Sequence, residues 1–211
     1  MSKDVRLLVL STVGAGLYGY GVSKIPSPRE VTVFWVGNFA GPWLALAFLA
    51  GWAQRRSWVW SVVAGAAADL TCVVGFYLPY RVLFDRLALG LPDSTPIATV
   101  MTTGARLWLG AVAHWLVIAV LAGAVYGWLG LRWGRSRAVA AGVAAGLPFI
   151  VEPLLWPLYL GRYQGPLILW IVEVVVGAAL VTWVFAVRHR GLAPDGPALD
   201  DPVGQTIESR D

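Results

Sequence analysis

The chain is predicted to be all-α: a polytopic transmembrane helix bundle of about six spans with both termini cytoplasmic. Three observations carry this. Six long apolar stretches, each about long enough to cross a bilayer, make up nearly the whole sequence. The loops between them are short, and their positive charge alternates from one to the next. Only 13% of the 211 residues are charged while 58% are hydrophobic, where a soluble domain carries roughly 25% charge. Such a chain folds with lipid as its solvent, and each backbone polar group must then find its partner inside the protein.

The spans read as Val5–Val22, Val31–Ala53, Trp58–Tyr80, Leu107–Leu131, Val139–Leu160 and Leu167–Val187. The first follows Lys3 and Arg6, as a signal peptide would. It lacks a small-x-small cleavage site, so it reads as an uncleaved helix. Between the third and fourth spans, Arg81–Arg106 is the one long outer loop. Its first half, RVLFDRLALG, mixes apolar and charged residues and is expected to lie in the interface as a short helix. Ser94-Thr95-Pro96 then reads as a helix start, with Pro96 at the first helical position. A helix from there to Leu131 is too long for one perpendicular crossing, which calls for a surface lead-in or a strong tilt.

Residues 1–190 thus form one six-helix transmembrane domain. The remainder, 191–211, reads GLAPDGPALDDPVGQTIESRD, with five acids, three prolines and no aromatic residue. That composition cannot bury enough apolar surface to offset the entropy of ordering, and it predicts a disordered acidic cytoplasmic tail. Ten cations, at Lys3, Arg6, Arg55, Arg56, Arg132, Arg135, Arg137, Arg188, Arg190 and Arg210, fall on one side of the membrane. Six, at Lys24, Arg29, Arg81, Arg86, Arg106 and Arg162, fall on the other. The side with ten is expected to be cytoplasmic, at the cell membrane.

Composition also excludes function classes. The net charge of +4 comes from cations flanking apolar spans, so it is no sign of a nucleic-acid partner. Cys72 is the only cysteine, and His114 and His189 are the only histidines. No intrachain disulfide or thiolate metal cluster can form, and no zinc-protease, P-loop or dinucleotide pattern is present. No cofactor and no metal site is expected.

Gly37-x-x-x-Gly41, Gly123-x-x-x-Gly127 and Gly142-x-x-x-Gly146 lie on three different spans, and Ser11, Ala15 and Gly19 stripe the first. Small residues let helices approach closely where lipid supplies no hydrophobic drive. They point first to packing within the chain and second to a homo-oligomer or a membrane partner subunit. Trp43-Leu44-x-x-Ala47-x-Leu49-Ala50-Gly51 is echoed by Trp115-Leu116-x-x-Ala119-x-Leu121-Ala122-Gly123. This is either a parallel duplication or chance in an Ala/Leu-rich chain.

Ionisable groups inside spans are costly, and each is a site hypothesis. Asp69, His114, Glu152 and Glu173 stand out, with Asn38 as a polar companion. At about 1.5 Å rise per residue, Asn38, His114, Glu152 and Glu173 reach the outer half, with Asp69 near the midplane. Gly65, Asp69, Cys72, Phe76 and Tyr80 share one face of the third span, and Trp170, Glu173 and Gly177 one face of the sixth. Tyr77 and Trp156 are available as partners. Pro153 and Pro157 follow Glu152 and are expected to bend its helix. The competing reading is a structural hydrogen-bond network that fixes helix register. No cation in its own span can pair with Glu152, so His114 is expected to approach it from the neighbouring helix.

The runs FWVGNFAGPWLALAFLAGW, AVYGWLGLRWGRSR and AAGLPFIVEPLLW resemble a family of uncharacterised multi-pass membrane proteins from high-GC Gram-positive bacteria. Asn38, Pro42, Trp43, Phe48, Gly51 and Glu152 carry the likeness. It covers about two-thirds of the chain at low motif specificity and implies a fold class, with no activity attached. In length, helix count, topology and small-residue first helix the chain is also similar to substrate-binding subunits of energy-coupling-factor transporters, an analogy of architecture alone.

The expected function is binding of a small molecule or ion in an outward-facing intramembrane pocket, as a transport-related or accessory subunit. One alternative is an enzyme that acts on a lipid or isoprenoid substrate with Asp69 and Glu152 as general acids in a dry cavity lined by Trp and Tyr; no metal-binding pair of acidic motifs is visible, which argues against metal-dependent prenyl transfer. Another is a ligand-free scaffold.

Overall fold

A computed structural model of the chain describes residues 2–25, 40–54, 57–78, 85–87, 89–160 and 167–190, without the side chains of 156–160, 189 and 190. Six helices follow one another: α1 (Lys3–Ser23), α2 (Ala40–Ala53), α3 (Trp58–Tyr77), α4 (Ile97–Ser136), α5 (Val139–Leu160) and α6 (Leu167–Arg190). The described residues contain no strand. The structure is the expected all-α bundle. Helices α1, α3, α4 and α6 are long and apolar enough to cross a membrane, while α2 and the described part of α5 are shorter apolar helices. The tail 191–211, Asn38, Gly37, Tyr80 and half of the segment RVLFDRLALG lie outside the described residues. Of that segment, Asp85, Arg86 and Leu87 form a turn in which the Asp85 carboxylate accepts the Leu87 N–H at 2.9 Å.

Local chemistry sets the helix ends. Ser2 caps α1, its hydroxyl accepting the Val5 N–H at 3.3 Å, and Asp4 in the first turn faces the positive end of the helix dipole. Ser57 caps α3 in the same way through Trp60. Pro96 sits one position earlier than the sequence suggests, as the N-cap itself, and α4 starts at Ile97. From there α4 runs unbroken for 40 residues, so the surface lead-in and the span are a single helix. At about 1.5 Å per residue it is about twice as long as the hydrocarbon layer is thick. It stops at Arg137, which adopts a left-handed conformation with φ 49° and returns its N–H to the Trp133 carbonyl. The two residues between α4 and α5 make a tight antiparallel hairpin.

Glycine decides how the helices meet. A Cβ at Gly19 would strike the Cys72 carbonyl, and one at Gly75 the Gly16 carbonyl, so α1 and α3 touch backbone to backbone. Gly127 faces Ser61 and Gly65 on α3 and also abuts Gly51 on α2; Gly130 abuts Phe48. Gly146 and Gly177 join α5 to α6. The small stripes therefore pack within the chain. In the Trp43 and Trp115 runs, Ala47, Gly51, Ala119 and Gly123 all face inward. The tryptophans differ, since Trp43 packs on Phe76 at 5.6 Å and Trp115 is exposed.

Several hydrogen bonds between helices go to carbonyls. The Thr71 hydroxyl donates to the Thr12 carbonyl at 2.9 Å, and the Gln54 amide donates to the Asp4 carbonyl at 2.6 Å. Pro148 has no N–H for the Ala144 carbonyl four residues back, and the Tyr126 hydroxyl of α4 fills that place at 3.1 Å. Trp108 donates to the Tyr77 carbonyl in the last turn of α3 at 3.0 Å. The outer faces carry Leu10, Leu17, Leu121, Leu154, Ile168 and Val175, all exposed. An apolar surface of this extent is solvated by lipid.

Candidate functional site

The site begins at the first turn of α2. Its leading N–H groups have no helix carbonyl to bond, and Pro42 has no N–H at all. Glu152 of α5 supplies the acceptor. Its carboxylate takes the N–H of Ala40 at 2.7 Å and of Gly41 at 3.3 Å. A carboxylate here is favoured twice, by the charge-assisted bonds and by the positive end of the helix dipole. Gly41 is what lets the chains close up, since a Cβ there would lie 2.8 Å from the Phe149 ring of α5.

Glu173 of α6 interacts with Glu152 of α5. It is 5% exposed, and both of its carboxylate oxygens are buried with no donor among the described residues. Trp170, one turn earlier on the same face, is buried as well. Glu173 is buried and Glu152 half-buried, and two carboxyl groups placed together in this way do not both stay ionised unless a positive charge lies between their oxygens. A shared proton or a bound cation supplies it.

The other sequence candidates lie elsewhere. Asp69 is 3% exposed at the α3–α4 interface, its Cβ against Gly123, with one oxygen lacking a partner among the described residues. Glu152 and Glu173 belong to the α2–α5–α6 contact, and α3 and α5 share no extended interface. Asp69 and Glu152 thus sit in different helix interfaces. Tyr77 ends α3, packs edge-on against Phe76 at 5.0 Å and gives its carbonyl to Trp108. His114 does not meet Glu152: it is exposed on α4 with its ring 4.9 Å from that of Trp115. The expected pairing fails because α4 turns its small residues, Val112, Ala119 and Gly123, toward the bundle, and His114 is on the other face. Asn38 and the Trp156 side chain are outside the described residues.

Sequence reasoning missed the Ala40 and Gly41 backbone as the partner of Glu152. The signal was Gly41-Pro42 within what reads as one continuous span, since proline is tolerated in the first turn of a helix. It also missed Gln54, whose 1% exposure marks it as an interior residue. Among the described residues no three His, Cys, Asp or Glu side chains converge as a metal centre would need.

No protein-family model, no curated protein and no solved structure matches the chain.

Proposed function

We propose that the protein binds a small cation at the Glu152–Glu173 pair, reached from the outer side of the membrane, as a transport-related or accessory subunit with both termini cytoplasmic. The observation that carries the reading is Glu173: a buried carboxyl aimed at a second carboxyl, with neither oxygen served by a donor among the described residues. Glu152 already spends its charge on the α2 terminus. A purely structural network would place a donor opposite Glu173, as α4 does for the Ala144 carbonyl. The depth also fits, since Glu173 is about 9 Å from the start of α6 at the usual rise. Two carboxylates without an imidazole or thiolate favour a singly charged ion or an organic ammonium over a transition metal. The orientation rests on the excess of cations at the ends of α4 and α6. The resemblance to multi-pass membrane proteins and the likeness in architecture to substrate-binding subunits agree with this reading and add no ligand.

Thermal unfolding of the purified protein tests it, with sodium, potassium and alkylammonium salts titrated at constant ionic strength. A bound cation stabilises the folded state by about 2.7 kcal/mol at a hundred times its dissociation constant. One cation class should raise the midpoint saturably in the wild type and leave Glu173→Gln unmoved. Equal responses of both proteins, or none in either, would reject cation binding here.

A further inference from the structure

At the opposite end of the bundle, α2, α4, α5 and α6 leave a crevice of about 130 Å³. Phe48, Trp52, Trp133, Gly142, Leu180 and Trp183 form most of its wall, and every residue lining it is apolar. It opens sideways, where the Leu49 and Trp183 side chains are about half exposed. An apolar cavity of about 150 Å³ admits benzene and stays free of water, so this one suits a stretch of hydrocarbon chain. Gly142 is needed for its shape, because a Cβ there would press on Val184 and Trp133.

The rim is basic. Arg137 holds its guanidinium 5.3 Å from the centre of the Trp133 ring, directly beside the crevice. Arg188 is one helical turn beyond Val184, which lines it. Both arginines are exposed. The sequence has no acidic residue from Ser94 to Val151 or from Val174 to Arg190, so α4, α5 and α6 bring only basic ionisable residues to this end of the bundle. Trp52 adds an indole N–H that is buried with no acceptor among the described residues.

We infer that the crevice holds one acyl chain of an anionic phospholipid, whose phosphate lies against Arg137 and Arg188. The lipid answers three features together: the chain fills an apolar space open to the bilayer, an ester oxygen provides the acceptor that Trp52 lacks, and the phosphate meets the arginines. The inference is independent of the carboxylate pair, which lies at the other end of α5 and α6.

Native mass spectrometry of the full chain, equilibrated with equal amounts of phosphatidylglycerol and phosphatidylcholine, tests it. The wild type should retain phosphatidylglycerol preferentially. Arg137→Gln and Arg188→Gln should each lower that preference about fivefold while leaving total lipid retention in place. Ala145→Phe fills the crevice and should remove both lipids. Leu49→Trp at the mouth gives the same reading on a side chain that is already half exposed, where folding is least affected. Equal retention of the two lipids by the wild type overturns the headgroup assignment. Unchanged phosphatidylglycerol retention in Leu49→Trp or in a folded Ala145→Phe overturns the crevice.

Discussion

The carboxylate of Glu152 accepts the backbone N–H of Ala40 at 2.7 Å across 112 positions of sequence. A side chain from α5 therefore does for α2 what a local N-cap residue does for α1 and α3. This ties the α5–α6 pair to the rest of the bundle through a bond that depends on charge and direction as well as on packing.

Glu152→Gln should keep the fold, because the amide oxygen still accepts from Ala40 and Gly41. Glu152→Leu leaves both N–H groups without that acceptor and should cost about 1–3 kcal/mol. Chemical or thermal unfolding in detergent, compared between the two variants, checks this. Equal stability would mean that water replaces the cap.

Gly127 is in backbone contact with α2 and α3 at once. Gly127→Leu should leave little folded protein, because neither backbone can yield as a flexible side chain would. Gly110 has nothing within 4 Å of a built Cβ, so Gly110→Ala should be neutral or stabilising by up to about 1 kcal/mol. Yield of monodisperse protein separates the first pair of outcomes, and the melting temperature reads the second.

Gln54 anchors the first turn of α1 to the end of α2 through the Asp4 carbonyl. Gln54→Leu should cost about 1–2 kcal/mol and loosen the start of α1 in particular. Hydrogen exchange followed by mass spectrometry should show faster exchange in residues 3–10 and unchanged exchange in α5 and α6. A uniform rise would place the role of Gln54 elsewhere.

Cys72 is fully buried where α1 meets α3. A thiol-reactive maleimide should label it only as the bundle opens, which makes it a reporter for the melts above. Gly19→Leu, which drives a side chain into the Cys72 carbonyl, should make it reactive at room temperature. Fast labelling of the wild type would contradict the α1–α3 contact.

Run length and charge in the sequence determined the all-α bundle, the helix ends at Ala53, Trp58, Val139, Leu160 and Leu167, and the small faces that pack. Those features are local or compositional: an apolar run of a given length, a proline, a glycine every fourth residue. The face of α6 that holds Trp170, Glu173 and Gly177 was also legible, because helical periodicity fixes which residues share a side. Only the tertiary structure decided which faces meet. His114 and Glu152 have similar expected depth, yet depth says nothing of rotation about the helix axis, and α4 turns His114 away. The partner of Glu152 proved to be backbone N–H, which has no residue type to recognise. The crevice walled by Phe48, Trp133 and Trp183 draws on α2, α4 and α6, and its volume is what remains after glycine contacts have set the distances between them. Sequence assigns each helix its inventory of groups, but the pairing of those groups depends on interhelical geometry, which arises only when all six helices pack together.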